Sequence, residues 1–210
     1  MTENNLASPE LAAVEVHGMT RAHFILRGAL VAGATVGVGA VAPFVSSALA
    51  ADATSDIAIL NFALTLEYLE TNFYKVKAKA VGLSGEAKAY ATLFGDEEAE
   101  HVSALTSAIK AGGGTPAAMP TFVFPVTDEA SFLKLAYTIE NVGVGAYNGA
   151  GPSLKSKALL GAAGSIVQVE ARHAATLGLL TNQSVVPNGG FDKALTTKQV
   201  LAAAGPLIKS

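Results

Sequence analysis

Two short runs carry the chemistry of this chain: Glu98-Ala99-Glu100-His101 and Glu170-Ala171-Arg172-His173. Beyond residue 50 they hold the only two histidines, and each histidine has a glutamate three residues before it. Residues three apart on a helix share a face, so each run can aim a carboxylate oxygen and an imidazole nitrogen at one point. A lone Glu-x-x-His reads as a surface pair. Two of them, on helices that should face each other, read as metal ligands.

Such a site needs one further glutamate from each of two other helices, and both are present. The segment ALTLEYLETNFY (Ala63 to Tyr74) lies over AYTIENVGVGAY (Ala136 to Tyr147). Ala63 matches Ala136, Thr65 matches Thr138, Glu67 matches Glu140 and Tyr74 matches Tyr147. The spacing from Glu67 to Glu98 nearly equals that from Glu140 to Glu170, and Leu105 and Leu177 each follow their histidine by four residues. The second half thus echoes the first, an internal repeat concentrated at these positions. Four carboxylates and two imidazoles suit two divalent ions of iron or manganese. Without cations, four converging glutamates would repel one another and could not all stay ionised. For Glu140, set in an apolar stretch, the competing reading is a hydrogen-bonded buried acid.

Other residues near these positions have plainer readings. Glu70 lies one turn after Glu67, but its counterpart in the repeat is Gly143. It reads first as a solvated residue and second as an acid behind the ligands or on an access route. Asp96, Glu97 and Glu100 read as a solvated face, with Arg172 placed to pair with Glu100 or Glu97 at the surface. Tyr74 and Tyr147 read first as core residues with satisfied hydroxyls. A role as hydrogen-bond donors to the ligands or as electron relays is the second reading. Gly143 and Gly145 would allow close helix approach or leave a small channel.

The elements that must position these groups are helical. Apolar residues Ile57, Leu60, Leu64 and Phe73 recur near helical spacing after a cap at Thr54 or Ser55, and Gly82 closes that helix. A second helix spans about Glu86 to Lys110 and stops at three glycines. The stretch TPAAMPTFVFPV, with three prolines, predicts a crossover loop in which TFVF is the sole strand-like signal. A third helix is expected from Thr127 or Asp128 to about Tyr147, broken by NGAGP, and a fourth from Ser153 to Leu180. A short fifth helix fits TTKQVLAAAGPLIK, ended or kinked at Pro206. The prediction is all-α: two helical hairpins joined by a long crossover, plus a short C-terminal helix.

With the ligand pattern and this arrangement in hand, the chain from residue 55 to about 205 resembles the ferritin-like superfamily and its dinuclear carboxylate site. The opening ILNFALTLEYLETNFY and the trailing FDKALTTKQVLAAAGPLI resemble the exported branch that includes desiccation-associated proteins. The resemblance implies a ferritin-like four-helix bundle holding two metal ions, iron or manganese, on Glu67, Glu98, His101, Glu140, Glu170 and His173. It also implies redox chemistry with dioxygen or peroxide, either ferroxidase-like or, with manganese, catalase-like. A non-enzymatic, stress-protective protein that keeps the bundle for stability is the alternative.

Composition narrows the remaining classes. The 210 residues are half hydrophobic, with a formal net charge of −3 and no cysteine. That excludes disulfides, thiolate metal sites and a cysteine nucleophile, and the lack of a basic stripe speaks against nucleic acid. Beyond residue 50 no further histidine is left for a serine triad. Residues 1–50 read as an export signal: Arg21 and Arg27 flank a Gly/Ala/Val-rich run ending in Ala48-Leu49-Ala50. TRAHFIL resembles a twin-arginine motif, with Ala22 where the second arginine would stand. The expected location is periplasmic or extracellular, with residues 51–210 as the mature domain. An uncut anchor over residues 28–50 is the alternative. A homo-oligomer is compatible with the sequence, while the export segment and proline-rich crossover do not suggest a storage cage.

Overall fold

The computed structural model describes residues 55–209. The export segment, the anchor alternative and Thr54 lie outside them. Ser55 is the cap of the first helix, α1 (Asp56–Asn72), and its hydroxyl accepts from the Ala58 amide. The chain continues through a π turn at Phe73–Lys77 into α2 (Ala78–Val81), which ends on Gly82 in the left-handed conformation. α3 covers Gly85–Ala111, α4 Glu129–Ala150, α5 Lys157–Leu180 and α6 Thr197–Ala204. Asp128 and Ser131 form a capping box that fixes the start of α4.

α1 packs along α3 and α4 along α5, giving two hairpins; α1 meets α4 and α3 meets α5 to close the bundle. α6 lies on α4. The expected all-α, ferritin-like arrangement with a crossover and a C-terminal helix is therefore observed. The crossover is held from inside: Asn61 donates to the Thr115 carbonyl at 3.1 Å and accepts from the Ala117 amide at 2.7 Å. The TFVF signal is real but small. β1 (Thr121–Phe122) pairs antiparallel with β2 (Ile208–Lys209), tying the C-terminal residues to the crossover. Among the described residues no helix is long and apolar enough to cross a membrane.

Three boundaries differ from the sequence reading. The first helix is not uniform, because the π turn inserts an extra residue where Tyr74 and Lys75 press against α3. Gly95 makes room there, since a Cβ on it would lie 2.9 Å from Tyr74 Cβ. α5 starts at Lys157 with Ser156 as cap, not at Ser153, because Gly151–Ser153 form a 3₁₀ turn around Pro152 and Leu154 is extended. α4 runs on through Asn148 and Gly149 to Ala150, past the expected end near Tyr147, whereas α6 ends at Ala204 as expected, because Pro206 sits in a second 3₁₀ turn that leads into β2.

Two apolar clusters fill the bundle. One centres on Phe73 and Phe132, whose rings stack at 4.2 Å, and includes Tyr74. The other contains Leu60, Leu64, Leu105, Ile109, Ile166 and Tyr147. On α1, Glu67 falls between Leu64 of one cluster and Leu69 of the other, so the acids occupy the polar layer between two greasy ends.

Candidate metal centre

All six residues singled out by the repeat meet in this layer. Glu67, Glu98, Glu140 and Glu170 are fully buried, His101 is 8% exposed and His173 is 2% exposed. They form two overlapping sets: Glu67, Glu98, His101 and Glu170, and Glu98, Glu140, Glu170 and His173. Within each set one ligand atom per residue lies within 4.8 Å of the others. Glu98 and Glu170 belong to both sets. Glu98 divides its oxygens accordingly, with Oε2 2.8 Å from His101 Nδ1 and Oε1 2.8 Å from His173 Nδ1. Glu67 Oε2 lies 3.2 Å from His101 Nδ1, and Glu140 Oε2 lies 3.4 Å from His173 Nδ1. Both histidines thus turn the same nitrogen inward.

Five of the inward atoms have no hydrogen-bond partner: Glu98 Oε1, Glu140 Oε2, both oxygens of Glu170 and His173 Nδ1. His173 Nδ1 and Glu98 Oε1 are close but not aligned to bond, so they converge without satisfying each other. Each orphaned buried polar atom costs about 1–3 kcal/mol. Five at one point fit a pair of cations, whose charge would satisfy oxygen and nitrogen donors together.

The charges tell the same story. Burial drives Glu67 up to about 8, with His101 offsetting part of the rise. Burial also raises Glu140, and it raises Glu170 well above the ordinary carboxyl range with help from the charges of Glu98 and Glu67. Burial opposes ionisation of Glu98 as well, but the imidazoles beside it prevail and hold it at about 2. Burial disfavours charge on the histidines, yet the surrounding carboxylates raise both, His173 to about 11. Protonated imidazoles thus supply the positive charge that this ring of acids demands.

The tyrosines are core residues with satisfied hydroxyls, and their acceptors are two of the six residues, in an exchange that the repeat did not announce. Tyr74, from the first hairpin, donates to Glu140 Oε1 of the second at 2.5 Å. Tyr147, from the second, donates to Glu67 Oε1 of the first. Burial, and then the charge of the bonded glutamate, raises each phenol well above its ordinary value, which keeps it a donor.

Two acids depart from the preferred reading. Glu70 is not solvated: it is 2% exposed, and burial and the charge of Glu170 raise its carboxyl well above the ordinary range. Gly143 explains why it fits. A Cβ there would lie 2.6 Å from Glu170 Oε2 and 3.1 Å from Glu70 Oε1, so the glycine makes space for carboxylates rather than for a helix. Gly145 instead admits the Leu195 side chain. Glu97 is also more than a solvated residue, because its Oε2 lies 2.7 Å from His173 Nε2. Asp96 does face solvent, pairing with Lys75 at 2.9 Å, and Glu100 is exposed. Arg172 makes no ion pair among the described residues.

A family model described as a ferritin-like domain matches residues 55–183, a span that contains all six positions. The chain belongs to the ferritin-like domain family. Among curated proteins no sequence matches it.

Proposed function

We propose that this chain is a dinuclear metal protein, di-iron in its working form, that reacts with dioxygen or peroxide in the manner of a ferroxidase. The observation that carries this reading is the pair of overlapping sets sharing Glu98 and Glu170, whose buried donor atoms have no partner in the protein. In this reading Glu67 and His101 would hold one ion and Glu140 and His173 the other, with Glu98 and Glu170 available to both. Two bound irons would supply the electrons that a small oxidant needs, as iron(II) passes to iron(III).

The residues themselves do the rest. The four carboxylates would balance the charge of two divalent ions, and Tyr74 and Tyr147 fix the orientation of Glu140 and Glu67 by binding the oxygen that faces away from the imidazole. The apolar clusters on either side exclude bulk water, which strengthens every charge interaction in the layer. The finer placement in the exported, desiccation-associated branch belongs to the same proposal, supported by the Arg21 to Ala50 pattern and by the segments ILNFALTLEYLETNFY and FDKALTTKQVLAAAGPLI.

Metal analysis of the purified mature chain tests the reading, with the Glu98→Gln/Glu170→Gln double variant as control. Two irons per chain in the parent and none in the variant are expected; a parent free of iron and manganese would sink it. Peroxide dismutation after loading with manganese, in place of oxidation of added iron(II), would move the activity to the catalase-like form. Metal that raises the melting temperature with turnover in neither assay would favour the stress-protective alternative. N-terminal sequencing of protein from the host is expected to begin at Ala51; an intact residue 28–50 segment would favour the anchor.

A further inference from the structure

The two histidines present the same atom to the cluster but are held differently behind it. His173 Nε2 lies 2.7 Å from Glu97 Oε2, and its ring stacks on Phe94 with centroids 4.0 Å apart. His101 Nε2 has no hydrogen-bond partner among the described residues, and its side chain is 11% exposed against 3% for His173. The repeat shows why. The offset that carries Glu98 to Glu170 and His101 to His173 carries Phe94 to Ile166 and Glu97 to Val169. At the positions that match Phe94 and Glu97 the second half carries aliphatic residues, whereas His173 finds a ring and a carboxylate.

Resting on the dinuclear reading above, we propose that Glu97 makes the two metal positions unequal: the Glu140–His173 position takes the first divalent cation and the Glu67–His101 position the second. An imidazole binding metal through Nδ1 must carry its remaining proton on Nε2. A carboxylate accepting that proton fixes both the tautomer and the ring plane, and makes the inner nitrogen more basic. His173 has this acceptor in place before any metal arrives, so that loss of the Nδ1 proton to an incoming ion leaves the required tautomer, and Phe94 restrains the ring's tilt. His101 is held on its inner side, with Nδ1 2.8 Å from Glu98 Oε2 and 3.2 Å from Glu67 Oε2, but among the described residues has no carboxylate to receive a proton on Nε2. Glu97 also adds one more negative charge on the His173 side, at a position where α5 supplies none.

The order is readable by titrating cobalt(II) into the metal-free full chain and following its visible absorption and heat of binding. The parent should bind two ions in separate steps, with affinities about 10- to 100-fold apart. Glu140→Gln should weaken the tight step and Glu67→Gln the weak one. Glu97→Leu, which removes the acceptor, should close most of the gap, and Glu97→Gln, which keeps a neutral acceptor, should close part of it. Val169→Glu gives a converse variant, since it places a carboxylate at the half-buried position that matches Glu97 in the repeat, and it should strengthen the second step. In proton spectra of the cobalt-loaded parent, the imidazole N–H of His173 should exchange with solvent more slowly than that of His101, and Glu97→Leu should erase the difference. Two equal steps in the parent, or a gap unchanged in Glu97→Leu, overturns the order alone. A chain that binds no cobalt overturns the metal reading and the order with it.

Discussion

The first hairpin, α1 to α3, and the second, α4 and α5, bring the same residue types to the polar layer and surround them differently. The first carries the additional acids Glu70 and Glu97, the π turn and the ring of Phe94. The second has Gly143, Val169 and Ile166 at the matching positions and an unbroken α4. Symmetry therefore holds for the groups aimed at the centre and for the crossed tyrosines, and fails at Glu70 and behind the histidines. Where the halves press together, strict symmetry is also sterically forbidden. Glu70 and Gly143 occupy equivalent positions one turn beyond Glu67 and Glu140, and the space left by the missing Cβ borders the Glu70 and Glu170 carboxylates. One half supplies the acid and the other supplies the room.

The largest effect should come from what the halves share. Saturating metal at about a thousand times its dissociation constant adds about 4 kcal/mol, or about 10 °C in melting temperature for a domain of this size. The effect should depend on pH in a defined direction. Glu67, raised from 4.5 to about 8, retains its proton longer in the folded chain than in the unfolded one. Metal-free stability should therefore fall as pH rises through that window. His173, raised from 6.5 to about 11, acts in the same direction over a higher window. Glu98, lowered from 4.5 to about 2, acts oppositely and costs stability only as pH falls below 4.5. Melting curves of the metal-free chain should thus be higher at pH 5 than at pH 8, and bound metal, which replaces the protons, should remove or reverse that difference. A metal-free chain more stable at pH 8 would contradict the charge balance described here.

A smaller effect should mark where the halves differ. Gly143→Ala adds a methyl group where Glu170 and Glu70 already sit, and should cost about 1–3 kcal/mol in denaturant unfolding. Coupling it with Glu70→Ala, which vacates one side of the contact, should recover part of that loss. An additive double variant would show that the two positions do not share the space. The smallest effects test the crossed tyrosines. Tyr74→Phe and Tyr147→Phe should each cost about 1 kcal/mol or a little more, with a buried carboxyl oxygen left without its donor. In metal titration Tyr74→Phe should act on the Glu140 position and Tyr147→Phe on the Glu67 position. The reverse assignment would mean that each tyrosine serves its own helix.

The sequence was most legible where a residue repeats in both halves. Glu67 and Glu140, together with the two Glu-x-x-His runs, could be picked from a crowd of acids because an offset selects them without reference to burial. Glu70 and Glu97 have no acidic counterpart, so only their type and local spacing could be read, and an acid on a helix is most often solvated. Their surroundings come from other helices: Gly143 of α4 for Glu70, His173 of α5 for Glu97. The π turn was hidden for a different reason, since one additional residue in a turn barely disturbs an apolar pattern that Leu69, Phe73 and Tyr74 satisfy either way. The late start of α5 follows from Pro152, which tolerates a tight turn as readily as a first helical turn.

The exchange of tyrosines makes each hairpin dependent on its neighbour. The glutamate of α1 receives its phenol only from α4, and that of α4 only from the π turn that follows α1. A hairpin that has formed by itself holds an acid without its donor and a donor without its acid. Neither half can assemble a complete set of ion-holding groups before the two have docked in the correct register. Loading with metal would then act as a late lock in folding, rewarding the paired state and leaving a half-formed chain with nothing to gain.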